Sequence, residues 1–404
     1  MIRVAMISPL PPQKVGEAPY AAHLINGLVG TSKVNVVAIT GEDAEPIGSP
    51  DSKIEQLPIW NGRSLFYPLR LLRQITKRRC HLVHVQFGPY GKVYGGLFGE
   101  VMLFLLILLR LAGVKTTITL HSTWMMRQVI ERVKKYRILG RVSFLAAPFF
   151  HLYMKLLNWG TTTVQLSTTR ENSALRRAFL REYGFNPRKV LEIPHPCMTL
   201  DERTDRESAA KSIGLEGKTV VLMFGFIRPG KGFETALKAI VHMKDQFPDI
   251  ALLIAGRPQG LRGDEYLEEL HKLANDLQVT DKVHFDTRFI PEEEVPIYFS
   301  ASTLLLIPYT ESIGASGPIH NYAGYGVPIV ASDAGFHNRE SLGGNLVLFK
   351  SGNSDSLAQT LIDLLNQPDV LDDIGQKQVQ YAKHENWRLA VDRTIRNYQR
   401  TMLS

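Results

Sequence analysis

The chain has 404 residues, 44% of them hydrophobic and 21% charged, a balance that argues against disorder for most of its length. Its size exceeds what one hydrophobic core usually fills, so two domains are expected. The formal charge of +8 favours anionic partners, whether nucleic acid, phosphorylated small molecules or a membrane surface, although solubility alone also accounts for it.

"MIRVAMISPL" reads directly as a first strand, so no secretory leader is expected, and two distant cysteines, Cys80 and Cys197, fit a reducing cytoplasm. In the following "SPLPPQKVGEAPYAAHLINGL", Gly16 precedes a helix expected from about Pro19. Backbone N–H groups at such a helix start attract phosphate, but a plain strand-to-helix turn explains the loop equally well. No GxGxxG follows the strand, which disfavours a dinucleotide dehydrogenase.

The runs "VNVVAIT", "HLVHVQF", "TTITLHS", "TTTVQLS" and "VLEIPHP" continue the first half, separated by helical patterns. The most apolar stretch, "VMLFLLILLRLAG" at 101–113, is shorter than the roughly 20 residues that span hydrocarbon and is expected as a buried or interfacial helix. Segment 126–160 begins with Arg127, Arg132, Lys134, Lys135, Arg137 and Arg141 and continues with Phe144, Leu145, Phe149, Phe150, Leu152 and Tyr153. Basic then apolar, it suits the surface of an anionic membrane, or else a core helix with a solvated basic face. "RRAFLREYGFNPRK" at 176–189 adds positive charge to the same half.

The proline and charge-rich "PHPCMTLDERTDRESAAKSIG" marks a boundary. Beyond it come "TVVLMFGFI", "IALLIAG", "KVHFDTR", "STLLLIP" and "PIVASD". Nearly continuous apolar strands alternating with helices predict parallel sheets covered on both faces, hence two doubly wound α/β domains. The expected division is a domain over 1–196, a linker over 197–216, a second domain over 217–382 and a C-terminal helix over 383–404. That helix carries Trp387, Val391, Ile395 and Tyr398 at helical spacing.

Ligands of open α/β sheets bind beyond the carboxyl ends of the strands. There, "FGFIRPGKGFETALKAI" sets Arg228 and Lys231 among Gly225, Gly230 and Gly232, a pattern suited to a diphosphate and distinct from a P-loop. In "PYTESIGASGPIHNYAGYGVPIVASDAG", Pro318 suits the first turn of a short helix, with Ser316 and Gly317 at its start and Glu311 upstream. Glu311 there either complements the helix dipole or binds sugar hydroxyls beside a phosphate. No acidic pair or His/Cys cluster suited to a metal is seen, so neither metal nor other cofactor is expected.

The spacing of "FGFIRPGKG", "IAGRPQG", "STLLLIPYTES…YGVPIVASDAG" and the Trp-containing final helix resembles the retaining glycosyltransferases of family 4, the group 1 glycosyl transferases with the GT-B fold. The resemblance spans nearly the whole chain and is stronger in the second half. It implies two Rossmann-like domains facing a cleft, the C-terminal helix crossing back to the first. It further implies a UDP- or GDP-linked sugar held mainly by the second domain, and transfer with retention of configuration to a glycan, lipid-linked or small polar acceptor.

By that resemblance Lys231 grips the diphosphate, and Phe226 replaces the arginine usual after the first glycine, with Arg228 as its substitute. Gly16, Ser316 and Gly317 join the diphosphate site, His121 and Glu311 the reacting sugar, and Arg257 and Asn321 the nucleoside. Family members carry two glutamates in the stretch corresponding to "PYTESIGASGPIHNYAGYGVP", closer together than Glu311 and Asn321; here Asn321 stands in the second place. These departures leave two alternatives: a catalytically silent nucleotide-sugar-binding partner, or an epimerase or phosphorylase of the same fold. Nucleic-acid binding is not expected, because the charge comes with no recognisable module. The expected location is cytoplasmic, with peripheral contact at the inner membrane face.

Overall fold

The computed structural model describes all residues except 14, 49–53, 89–90, 135–143, 201–203, 261, 311–316 and 335–336. The chain forms two compact units. One comprises Met1–His195 together with Trp387–Ser404; the other holds the described residues from Pro196 to Asn386.

The first unit runs β1 (Ile2–Ile7), α1 (Glu17–Gly30), β2 (Val34–Gly41), β3 (Glu55–Trp60), α2 (Tyr67–Lys77), β4 (Leu82–Phe87), α3 (Gly91–Tyr94) and α4 (Glu100–Leu111). It continues β5 (Lys115–Leu120), α5 (Met126–Lys134), α6 (Ala146–Gly160), β6 (Thr163–Thr168), α7 (Ala174–Tyr183) and β7 (Val190–Pro194). The second unit begins α8 (Arg206–Ser212), β8 (Thr219–Phe224), α9 (Phe233–Met243), β9 (Ile250–Ala255), α10 (Gly263–Asp276), β10 (Val283–Asp286) and α11 (Val295–Ala301). It ends β11 (Leu304–Ile307), α12 (Gly317–Ala323), β12 (Ile329–Ser332), α13 (His337–Glu340), β13 (Val347–Phe349), α14 (Ser354–Leu365) and α15 (Pro368–His384). The final helix, α16 (Trp387–Leu403), belongs to the first unit.

Among the described residues the first sheet has the order β3-β2-β1-β4-β5-β6-β7 and the second β10-β9-β8-β11-β12-β13, with parallel pairing throughout. Each sheet therefore reverses its strand order once, between β1 and β4 and between β8 and β11. At such a reversal neighbouring loops diverge and leave a crevice at the strand ends. β3 and β13 lie outside the apolar runs recognised in the sequence. Both are edge strands, where Pro58 and half-exposed residues are tolerated because one side needs no ladder partner.

The central strands β4, β6 and β9 are buried along their whole length. In the first sheet Val83, Val85, Phe87, Ile118 and Val164 point to one face and join the core beneath α4 and α6. The alternating residues on the other face are polar and meet α16: Asn397 donates to Thr117 (3.0 Å), Thr401 bonds Thr163 (2.7 Å), and Tyr398 meets His84 (2.7 Å). Val391, Ile395 and Tyr398 complete the attachment against α1 and β1. Within the stretch expected as a linker, Asp205 caps α8 by accepting from the Ser208 N–H (3.0 Å), and α8 packs against α11.

Candidate functional site

In the second unit the loops after β8 and β9 are joined through their backbones. Ile227 donates to the Arg257 carbonyl (2.9 Å) and Gln259 returns a bond to Ile227 (3.0 Å). Gly256, at φ +138°, lies so close that an added Cβ would stand 2.1 Å from the Gly225 carbonyl oxygen. The loop after β8 also crosses the switch point to the end of β11, where Thr310 donates to the Gly230 carbonyl (3.1 Å). Gly232, at φ +79°, starts α9 against Pro308; a Cβ there would lie 1.9 Å from the Pro308 oxygen. Two glycines thus hold three strand ends together through backbone approaches that no side chain permits.

That closure places Lys231 with its Nζ 3.6 Å from the centroid of the Tyr309 ring. Desolvation of the ammonium, together with the positive charge of Arg228, pushes its pKa down to about 7. The ring face opposes this by favouring the cation. A partly desolvated ammonium beside a second cation is a strong receptor for an anion, which restores the charge that desolvation suppresses. Arg228 itself is exposed.

Arg257 stands between two aromatic rings, 5.7 Å from Phe226 and 5.4 Å from Phe289. Both rings are exposed, at 37% and 60%. The loop bearing Phe289 is fixed by its neighbour Arg288, which pairs with Asp286 (3.2 Å) and Glu294. Arg257 was among the residues expected from the sequence, whereas Phe289 and Tyr309 were not; the signal available for both was position, each an aromatic in the loop after a strand of the second sheet. α12 is tied to the end of β8 by Tyr322, which stacks on Phe299 (4.4 Å) and meets the edge of Phe224 (5.4 Å). Gly317 begins that helix and Asn321, half-buried, lies on it. Glu311 and Ser316 lie outside the described residues.

The first unit holds the other two expected residues. Gly16 is exposed in the turn before α1 with φ −64°, and a Cβ there would meet nothing within 4 Å. The next residue, Glu17, is 2% exposed, and burial pushes its carboxyl up to about 7. His121 follows β5; its Nε2 lies 2.7 Å from Gln86 Oε1, and its ring packs edge-on against Tyr20 of α1 at 4.6 Å. Burial pushes the imidazole down to about 3, with His195 and His84 adding to the effect. The structure therefore gathers Arg228, Lys231 and Arg257 at the strand ends of the second sheet, and Gly16 and His121 at those of the first.

Two Rossmann-like units of this kind define the GT-B fold. Sucrose-phosphate synthase of Thermosynechococcus elongatus has the same architecture, with a TM-score of 0.74 and 18% identity over 99% of both chains. HepE of Anabaena, solved in complex with UDP, matches with a TM-score of 0.71 and 15% identity over 99% of this chain and 100% of that one. At these identities the likeness is one of fold.

Residues 205–383 match the model of the glycosyl transferases group 1. Among curated relatives, a D-inositol 3-phosphate glycosyltransferase of Streptomyces bingchenggensis is 29% identical over 55% of this chain and 50% of its own. A GDP-mannose-dependent alpha-(1-6)-phosphatidylinositol monomannoside mannosyltransferase of Mycolicibacterium smegmatis is 30% identical over 46% of this chain and 50% of its own. The matches cover about half the length of these relatives.

Proposed function

We propose that the protein is a retaining glycosyltransferase of family 4. It moves a sugar from a UDP- or GDP-linked donor to a hydroxyl of a glycan, lipid-linked or small polar acceptor. The observation that carries this reading is the Lys231 ammonium, half-buried against Tyr309 beside Arg228 in the loop that the group 1 segment contributes. The names of the relatives, which include a GDP-mannose-dependent enzyme, and the UDP and UDP-glucose complexes of HepE support a nucleotide-sugar donor.

In the proposed reaction the bond between the anomeric carbon and the departing diphosphate breaks as negative charge grows on the leaving group. Lys231 and Arg228 stabilise that charge from preorganised positions. The acceptor hydroxyl attacks on the same face, its proton passing to the departing phosphate, so configuration is retained without a protein nucleophile. Arg257 and the Phe226 and Phe289 rings, with Asn321, are assigned to the nucleoside; Gly16, Ser316 and Gly317 to the diphosphate; His121 and Glu311 to the sugar. A cytoplasmic location belongs to the same proposal.

The test is a transfer assay combined with a thermal-shift screen against UDP, GDP, ADP and their sugars, since a ligand of the native state raises apparent stability. Lys231→Ala is expected to lose the nucleotide-dependent shift, and Glu311→Gln to lose transfer while keeping the fold. Wild-type turnover in both variants sinks the assignment. Binding of nucleotide with no turnover across an acceptor library favours a silent binding partner instead, and epimerised sugar formed from donor alone favours an epimerase.

A further inference from the structure

The apolar part of the basic-then-apolar segment, residues 144–160, is sorted by the fold into buried and exposed side chains. Phe150 and Tyr153 are core residues, and Tyr153 donates to the Phe98 carbonyl (3.2 Å). Phe149, Leu152 and Trp159 are instead 49%, 55% and 49% exposed, with Leu156 half-buried between them. Positions 149, 152, 156 and 159 recur at three- and four-residue spacing and so form one stripe along the outer face of α6.

α4 repeats the pattern. Its Met102, Leu105, Leu106 and Leu109 are buried, while Phe104 and Leu111, two turns apart, are exposed. The two helices pack tightly: a Cβ on Gly160 would stand 3.2 Å from the Leu106 Cβ and 3.3 Å from its carbonyl carbon. Both bury their inner faces in the same core cluster, so their outer stripes form one apolar surface. Scattered exposed apolar residues are ordinary, but parallel stripes on adjacent helices mark an interaction site.

At the C-terminal end of this surface opens a cavity of about 430 Å³ lined by Arg110, Lys155, Trp159, Thr161 and Lys189. Burial and the nearby Arg110 push the Lys189 ammonium down to about 8, the mark of positive charge with too little compensation. No acidic side chain lines the cavity among the described residues.

We propose that the outer faces of α4 and α6 dock on an anionic bilayer, with the Arg110–Lys155–Lys189 cavity receiving a lipid phosphate. Charge complementarity selects this occupant. A second copy facing the same surface would bring three cations against three, whereas a bilayer offers hydrocarbon to Phe149 and Leu152 and phosphate to the cavity. Trp159 stands where the two regions meet, a position that suits an amphipathic ring at the membrane interface. Among the described residues no helix is long and apolar enough to cross a membrane, so the contact is with its surface. The inference is independent of sugar transfer and is tested without donor.

The full chain is sedimented with vesicles of phosphatidylcholine alone or mixed with phosphatidylglycerol, at low and high salt. It is expected to pellet with the anionic vesicles and to be released by salt. The double variants Phe149→Ser with Leu152→Ser and Arg110→Glu with Lys155→Glu should each weaken vesicle binding about tenfold or more. Arg127→Gln on α5, whose side chain pairs with Glu131, should leave binding unchanged. Melting temperatures within a few degrees of wild type show that the variants fold. The proposal is overturned by a wild-type chain that ignores anionic vesicles, by double variants that bind like wild type, or by a homodimer that the apolar double variant dissociates.

Discussion

His121 and Gln86 meet with Nε2 and the amide oxygen 2.7 Å apart, and this contact sets the tautomer of the imidazole. An amide oxygen only accepts, so His121 carries its proton on Nε2 and leaves Nδ1 as a lone pair. With burial holding the group near 3, nitrogen-resolved NMR should show the neutral Nε2–H form throughout pH 5 to 8. Gln86→Leu should mix the tautomers and lower transfer by about tenfold to a hundredfold, and it should also lower the melting temperature, because the buried Gln86 amide contacts His84 Nε2 (3.1 Å) as well as the His121 ring.

Lys231 gives the donor site a proton linkage. Its folded-state pKa of about 7 lies below the ordinary 10.5, so at pH 8 the free protein is largely neutral there. A diphosphate favours the charged form and raises the pKa, so binding takes up a proton and affinity falls as pH rises through 7. Calorimetry at pH 8 in buffers of different ionisation enthalpy should report uptake of up to about one proton per nucleotide. Lys231→Ala should abolish the uptake and weaken binding by about 1.5–3 kcal/mol.

Gly232 and Gly16 should respond oppositely to alanine. At Gly232 the left-handed backbone alone costs about 1–2 kcal/mol, and the overlap with Pro308 adds to it, so Gly232→Ala should lower stability markedly in urea titration. Gly16→Ala, at φ −64° with open space around it, should change stability by less than about 0.5 kcal/mol. Loss of transfer in that stable variant would show that the donor approaches the Gly16 backbone.

Tyr398 anchors α16 through His84. Tyr398→Phe leaves the buried Nδ1 without that partner and should cost about 1–3 kcal/mol by chemical denaturation. Burial lowers the His84 pKa from 6.5 to about 3, so the folded state binds this proton less readily than the unfolded chain. The corresponding stability is complete above pH 6.5 and declines as pH falls towards 3, which thermal melts across that window should trace.

The sequence by itself was enough for the strand runs, because central parallel strands are buried on both faces and read as continuous apolar segments. It also marked Arg228, Lys231 and Arg257, since glycines and cations directly after a strand advertise themselves locally, and it carried the likeness to group 1 glycosyl transferases. Edge strands β3 and β13 escaped because a strand buried on fewer sides needs no such run. Only the tertiary structure decided that Lys231 lies over the Tyr309 ring, that Phe226 and Phe289 flank Arg257, and that Thr117, Thr163 and His84 bind α16. It alone separated Phe149 and Leu152 from Phe150 and Tyr153. Burial, tautomer and pKa are properties of neighbours that fold in from distant parts of the chain, and local pattern carries no record of them.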